Sequence, residues 1–260
     1  MTALQLFHEG RLREALSLQS TLVSNDAATD PAERLLLAEL CLFDGQFGAV
    51  RRHLEQLPRD RDGMDRYLES WSNLLDVESR RQRLLIEGTP AFLAEPGEGA
   101  IMRVNALEAI RDGHAVAAME YLDEADACTP WTAGHVDGRE FDGIRDTDDL
   151  YGPLLELIVD DQYVWFPAHQ VRRLRMGKIE SLRDLYFIPA WLTSRNLEEW
   201  PVYVPSLYAG SFAQADDDFR TGQATDWYAA DDSPMRGIGL RMYHFGDEEL
   251  SPLDFTQWEG

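Results

Sequence analysis

Three similar segments begin with a glycine that follows an acidic residue: GRLREAL at 10–16, GQFGAVR at 45–51 and GHAVAAM at 113–119. The first two glycines lie 35 residues apart and the second and third 68 apart, twice 34. Glycine adopts the left-handed backbone conformation in which one helix can end before the chain reverses. Small residues five positions later would let a second helix approach the first. The spacing therefore predicts helical hairpins in the first half of the chain.

Helical periodicity extends around these segments from the N-terminus to about residue 129. Leu12, Ala15 and Leu16 begin one apolar stripe. Asp30 before Pro31 indicates a helix cap followed by the first helical position. The period near 34 resembles that of tetratricopeptide repeats, although no segment carries the full motif. We therefore predict a tetratricopeptide-like α-α superhelix over residues 1–130, with an irregular helical bundle as the alternative.

The composition changes after residue 130. Residues 131–150 are rich in Gly, Asp and Arg and predict a linker or loop, and a short helix is expected over 154–158. Aromatic or β-branched segments, typical of short strands, follow at 163–167, 171–176, 184–188, 201–204 and 240–245. The predicted fold class is α+β, with a helical-repeat domain at 1–130 and a smaller β-rich α+β domain at 151–260.

The charge balance narrows the classes of partner. The chain has 24 basic and 47 acidic residues and a formal net charge of −23. Nucleic acid and anionic membrane surfaces would meet like charge, so neither is expected as a partner. The one basic cluster contains Arg172, Arg173, Arg175, Lys178 and Arg183. It is expected to pair with the abundant carboxylates of the chain, or alternatively to contact an anion or an acidic partner.

No motif for catalysis, metal binding or cofactor binding is complete. The six histidines lack metal-ligand spacing. The acidic segment 142–149 lacks the residues that a calcium-binding EF-hand loop requires at its sixth and twelfth positions, so it is expected to cap the next helix. Nucleophile and phosphate-loop motifs are absent. Cys41 and Cys128 are expected to be buried in a reduced protein, and no signal-like segment occurs at the N-terminus. The sequence predicts a cytoplasmic, non-enzymatic protein without metal or cofactor.

Motifs in the second half resemble a known family in their order and spacing. They are FDG at 141–143, GPLLE at 152–156, YVWFP at 163–167, LRDL at 182–185, IPA at 188–190, VPSLY at 204–208, TDW at 225–227 and GIGLR at 237–241. This series is similar to the ImpE family, also called TagJ, of type VI secretion accessory proteins. The helical first half is similar to that family as well.

The resemblance implies a cytoplasmic accessory protein with no enzymatic activity. It implies binding to the N-terminal region of the small contractile-sheath subunit, of the TssB or VipA type. It also implies that the protein modulates sheath assembly or the recycling of sheaths by an AAA+ ATPase, which would be an indirect partner. A helical-repeat scaffold for another client is an alternative, and an enzyme with a site in the C-terminal half is a further one.

A tetratricopeptide-like stack would offer a concave groove to an amphipathic helix of the partner. We expect Glu39 and Arg103 to set the register of that helix. The groove residues would be Phe7, Leu35, Glu39, Leu42, Arg103, Leu107 and Ile110. A second candidate surface in the β-rich half has Trp165, Arg183, Asp184 and Tyr208, with a role in folding that domain as the alternative.

Overall fold

The first half of the chain is helical, as its periodicity predicts. The computed structural model describes residues 1–23, 30–59, 62–230 and 233–260. The helices of the first half are α1 (Ala3–His8), α2 (Leu12–Leu22), α3 (Pro31–Phe43), α4 (Phe47–Glu55), α5 (Met64–Gln82), α6 (Gly97–Arg111) and α7 (Ala115–Cys128). Asp30 caps α3 by accepting a 2.9 Å hydrogen bond from the backbone of Ala32, with Pro31 at the first helical position.

The three repeated glycines end helices as expected. Gly10, Gly45 and Gly113 have φ angles of +71°, +70° and +74°, in the left-handed region. At each turn the glycine N–H and the next N–H bond back to carbonyls of the preceding helix, which satisfies groups that the helix end leaves open. The turns join α1 to α2, α3 to α4 and α6 to α7.

The long helix α5 interrupts this series of hairpins. It runs through Ser79, the position at which a further repeat would place its turn, and it packs on α4 and on the β-rich half. The helical half therefore consists of two hairpins, one long helix and a third hairpin.

The second half is rich in antiparallel strands. They are β1 (Ala133–Val136), β2 (Arg139–Asp142), β3 (Ile144–Asp146), β4 (Leu154–Val159), β5 (Gln162–Pro167), β6 (Val171–Met176), β7 (Phe187–Ser194), β8 (Glu199–Pro205), β9 (Thr225–Tyr228), β10 (Arg236–Gly239), β11 (Tyr243–Phe245), β12 (Glu248–Leu250) and β13 (Gln257–Glu259). Two short helices, α8 (Leu182–Tyr186) and α9 (Asp217–Thr221), lie among them. The largest sheet has the order β2-β1-β13-β6-β7-β8-β4-β5, and smaller sheets are β10-β9 and β12-β11-β3.

The predictions for the segments at 154–158 and 184–188 are wrong. The segment at 154–158 is the strand β4 and not a helix. Both faces of β4 are buried, so its apolar run lacks the alternation that would identify a strand. The segment at 184–188 mostly belongs to α8. Ser181 caps the N-terminus of this helix by accepting a hydrogen bond from the backbone N–H of Asp184.

The segment 131–150, predicted as a linker or loop, contains the strands β1, β2 and β3. β1 pairs with β13 near the C-terminus, and β3 pairs with β11. β1 also pairs with β2 in a hairpin that turns at Asp137 and Gly138, which is a local signal, whereas composition cannot reveal partners more than 90 residues away. The acidic residues of this segment do not cap a helix either: Asp148 binds Arg236 at 2.8 Å, and Asp146 binds Arg241. Cys128, predicted to be buried, is exposed, whereas Cys41 is buried.

The strand β4 separates two apolar cores. Leu154 and Ile158 pack with the helices, whereas Leu155 and Leu157 face a second core that includes Trp258. Alternation along the strand places Glu156 on the same face as Leu154 and Ile158, toward the helices. A carboxylate thus lies in the contact between the two halves of the chain.

A buried ionic network surrounds Glu156. Arg81 of α5 donates from Nε to Glu156 Oε1 at 2.9 Å and from Nη1 to Glu78 Oε1 at 3.0 Å. Arg241 binds the other oxygen of Glu156 and also Asp146. The side chains of all five residues are fully buried. Burial alone would raise the pKa of Glu156, but the adjacent guanidinium groups of Arg81 and Arg241 lower it to about 2.

Replacing Arg81 by methionine should destabilise the protein by about 3–5 kcal/mol, because Glu78 would keep a buried charge without a counter-ion and Glu156 would retain only Arg241. Chemical denaturation at pH 7 measures this loss. Arg83→Met is the control: its ion pair with Glu87 is largely exposed, so the expected change is about 0–1 kcal/mol. Equal effects of the two substitutions would show that the network does not stabilise the contact between the halves.

Candidate functional site

Most of the predicted groove residues are buried in the core. Phe7, Leu42 and Leu107 have no exposed surface. Phe7 contacts Phe43 edge-on with ring centroids 4.7 Å apart, and Phe43 contacts Tyr186 of α8 at 5.1 Å. The inner side of the helices is therefore covered by the second half of the same chain. The expectation that these three side chains face an open groove is wrong.

Arg103 does not lie beside Glu39. Its guanidinium is buried and donates to the carbonyl oxygens of Asp149, at 2.6 Å, and Leu150, at 3.2 Å, as well as to the carboxylate of Asp126. It links α6 to the segment before β4 and cannot set a register together with Glu39. Ile110, at the end of α6, is half-buried and lines a separate cavity beside Tyr228.

The four residues of the second candidate surface do not form one surface. Trp165 and Tyr208 are buried: Trp165 Nε1 donates to the Tyr163 hydroxyl at 2.7 Å, and the Tyr208 hydroxyl donates to Asp146 at 2.9 Å. Both side chains belong to the surroundings of the ionic network. Arg183 and Asp184, on α8, lie instead close to Glu39.

The cluster containing Arg172, Arg173 and Arg175 was expected to pair with carboxylates. In the described residues these three guanidinium groups form no ion pair, and Arg175 stacks on the exposed Trp191 at 5.4 Å from the ring centroid. Strand geometry explains this in part, since Arg173 and Arg175 project from the outer face of β6.

Leu35 and Glu39 do line an open groove, which we call the α1–α3–α8 groove. It has a volume of about 450 Å³. Its walls come from α1, from one face of α3 and from the segment that leads into α8. The lining residues are Leu4, His8, Ala32, Leu35, Leu36, Glu39, Ile179, Glu180, Ser181, Leu182 and Leu185.

The walls of the groove are largely apolar and accessible. Leu4 is 40% exposed and Ile179 is 44% exposed, and Leu35, Leu36 and Leu185 are half-buried. Leu35 and Leu36 lie on the same side of α3 as Glu39, because they precede it by four and three residues. The sequence signalled this face through Glu39, which interrupts an apolar run. It did not indicate Leu4 or Ile179, since only the tertiary structure brings α1 and the segment before α8 beside α3.

Glu39 is the unusual residue of this groove. It is only 5% exposed, and its Oε1 atom accepts no hydrogen bond. Burial raises the pKa of Glu39 to about 7, although the backbone N–H and the charge of Arg183 partly oppose the shift. Arg183 is occupied elsewhere: its Nη2 binds Asp184 at 2.9 Å, and its guanidinium lies over the rings of Tyr67 and Trp71.

The groove supports binding more readily than chemistry. The described residues contain no group of three or more His, Cys, Asp or Glu side chains arranged to hold a metal ion. None of the described helices is long and apolar enough to cross a bilayer. An apolar cleft with one polar group at its base is typical of a recognition site.

Replacing Glu39 by glutamine should change how stability depends on pH. Because the folded-state pKa lies above the ordinary value of 4.5, the contribution of Glu39 is fully present below pH 4.5 and is lost as pH rises through about 7. From pH 5 to pH 8, Glu39→Gln should gain about 3 kcal/mol relative to the unsubstituted protein. Urea denaturation across this range measures the difference, with the exposed Glu180→Gln as the control. Parallel pH curves for the Glu39→Gln variant and the unsubstituted protein would contradict the assignment.

Comparisons with known proteins agree with the motif series. Residues 138–259 match the family model described as ImpE protein. The chain is 28% identical to the type VI secretion system accessory component TagJ of Pseudomonas aeruginosa, over 99% of this chain and 90% of that protein. A crystal structure of a Vibrio parahaemolyticus protein has the same fold, with a TM-score of 0.85 and 20% identity over 99% of this chain and 96% of the other. The second half of the chain therefore matches the ImpE family model, and nearly the whole chain is similar to the type VI secretion system accessory component TagJ.

Proposed function

We propose that this accessory protein binds the N-terminal region of the small contractile-sheath subunit, of the TssB or VipA type, in the α1–α3–α8 groove. The observation that supports this site is an exposed apolar cleft between elements of both halves of the chain. The partner segment would lie in it as an amphipathic helix, with its apolar side against Leu4, Leu35 and Ile179. The protein acts as an adaptor and catalyses no reaction.

The size and composition of the groove suit a helix. A cavity of about 450 Å³ accommodates two or three large apolar side chains, which is how a helix anchors through residues three and four positions apart. Each apolar side chain removed from water contributes about 1.5–3 kcal/mol before the cost of association. Two such anchors are enough for a specific but reversible complex.

Binding of the subunit N-terminus would also affect the assembly and recycling of the sheath. A sheath subunit whose N-terminal helix lies in the groove cannot offer that helix to another protein. Binding in the cytoplasm would therefore modulate sheath assembly, or the recycling of sheaths by the AAA+ ATPase, without direct contact between this chain and the ATPase.

Charged substitutions in the groove should weaken the complex. Ile179→Asp and Leu35→Asp each remove an apolar contact and place a charge against the apolar side of the partner, so the dissociation constant should rise at least about tenfold. Fluorescence anisotropy with a labelled peptide from the subunit N-terminus measures this. Ile101→Asp on α6 is the matched control, because Ile101 is 50% exposed and lies outside the groove.

Three outcomes of this experiment are informative. Loss of affinity in the two groove variants alone supports the proposal. Equal affinity of all variants would assign the peptide to another surface. Absence of binding to the unsubstituted protein would reject the sheath subunit as partner and favour a different client.

A further inference from the structure

Glu39 differs from the other buried glutamates of this protein. Glu78 and Glu156 are fully buried and both bind Arg81. Glu39 is buried almost as deeply, yet it forms no ion pair among the described residues, and its Oε1 atom has no hydrogen-bond partner. Native proteins rarely leave a buried polar atom unsatisfied, and such atoms often mark sites that a ligand completes. Glu39 is one of the residues that line the α1–α3–α8 groove.

The nearest cation of the protein cannot fill this role. Arg183 donates from Nε and Nη2 to the same oxygen of Asp184, at 3.2 and 2.9 Å, and stacks on Tyr67 and Trp71. Its charge favours the ionised form of Glu39, but the opposing effects of burial and of Asp184 are larger, and the pKa of Glu39 remains raised to about 7. Glu39 thus lacks a counter-ion in the protein alone.

We propose that Glu39 is the receptor for a lysine or arginine side chain that the partner helix carries among its apolar residues. This inference rests on the proposed function for the identity of the partner, but it defines the chemistry of the site by itself. The methylene stem of a long basic side chain packs on apolar walls while its charged head reaches a carboxylate. The groove offers that combination: leucine and isoleucine side chains at its walls, and a carboxyl group with one oxygen that has no hydrogen-bond partner.

The electrostatics of the surroundings favour a cation over an anion. Glu180 lines the groove together with Glu39, and the protein as a whole has a net charge of −23. The charge of Arg183 acts on Glu39, but Arg183 is paired with Asp184. A carboxylate or phosphate of a partner would therefore meet repulsion at the base of the groove, whereas an ammonium or guanidinium group would meet attraction.

Binding of a cation should release a proton from Glu39. Below about pH 7 the carboxyl group is largely protonated in the free protein, so affinity for the basic side chain should increase as pH rises from 6 to 8. The other titratable or charged groups near Glu39 are His8 of α1, Tyr67 of α5, Arg183 and Asp184 of α8, and Glu180 before it. His8 lines the same groove, so it needs a control of its own.

The experiment combines two probes with three proteins. The first probe is the N-terminal peptide of the sheath subunit, together with variants in which each Lys or Arg is replaced singly by norleucine. The second is hexylammonium, compared with uncharged 1-hexanol. Calorimetry for the peptides and saturation-transfer NMR for the small molecules are carried out at pH 6, 7 and 8. The proteins are the unsubstituted chain, Glu39→Gln and His8→Gln.

We expect Glu39→Gln to weaken peptide binding about tenfold to a hundredfold at pH 8 and to abolish the pH dependence, which His8→Gln should retain. One norleucine variant of the peptide should bind the unsubstituted protein as weakly as the original peptide binds Glu39→Gln. The same variant should bind Glu39→Gln no more weakly than the original peptide does. Hexylammonium should bind the unsubstituted protein and not Glu39→Gln, whereas 1-hexanol should not discriminate between them.

The two probes separate the inference from the proposed function. Peptide binding that is unaffected by Glu39→Gln, or equal binding of hexylammonium to both proteins, would overturn the role of Glu39 and leave the sheath partner standing. Glu39-dependent binding of hexylammonium without any binding of the peptide would keep the cation site and reject the sheath subunit. Failure of both probes to bind would overturn both proposals.

Discussion

The fold depends on a set of charges that is buried between its two halves. Arg81 of α5 and Arg241 enclose Glu156 of β4, and Glu78 and Asp146 complete the set. Buried charges are costly unless each has its partner, so the helices and the sheet must meet in one relative position. Tyr186 of α8 donates to Glu78 at 2.8 Å, which ties that short helix to the same network. One wall of the α1–α3–α8 groove is thereby fixed by interactions deep inside the protein.

Glu39 differs from the carboxyl groups of this network because it forms no ion pair among the described residues. In the network each carboxyl group binds at least one guanidinium group of the same chain, which offsets the cost of its burial. In the groove the carboxyl group is left without a counter-ion, which costs stability at neutral pH and leaves an interaction available for a partner. The contrast between Glu156 and Glu39 distinguishes residues that hold the protein together from residues suited to recognition.

The helical hairpins do not act as an open superhelix. Their inner side is covered by the second half of the chain: Phe43 contacts Tyr186, and Arg103 binds the carbonyl groups of Asp149 and Leu150. The groove that Leu35 and Glu39 line lies at the border, where α1 and α3 meet the segment before α8. Of the residues expected to line a groove, Leu35 and Glu39 lie there, and Arg183 and Asp184 lie next to them.

The sequence by itself determined the local features of this protein. Glycine at 10, 45 and 113 specified the left-handed turns, Asp30 with Pro31 specified the start of α3, and the motif series at 141–241 indicated the family. Only the tertiary structure decided the identity of β4, the pairing of β1 with β13, and the contact between Arg81 and Glu156. The reason is physical: turns and caps depend on neighbours a few residues away, whereas burial, strand pairing and counter-ions depend on residues 75 or more positions apart.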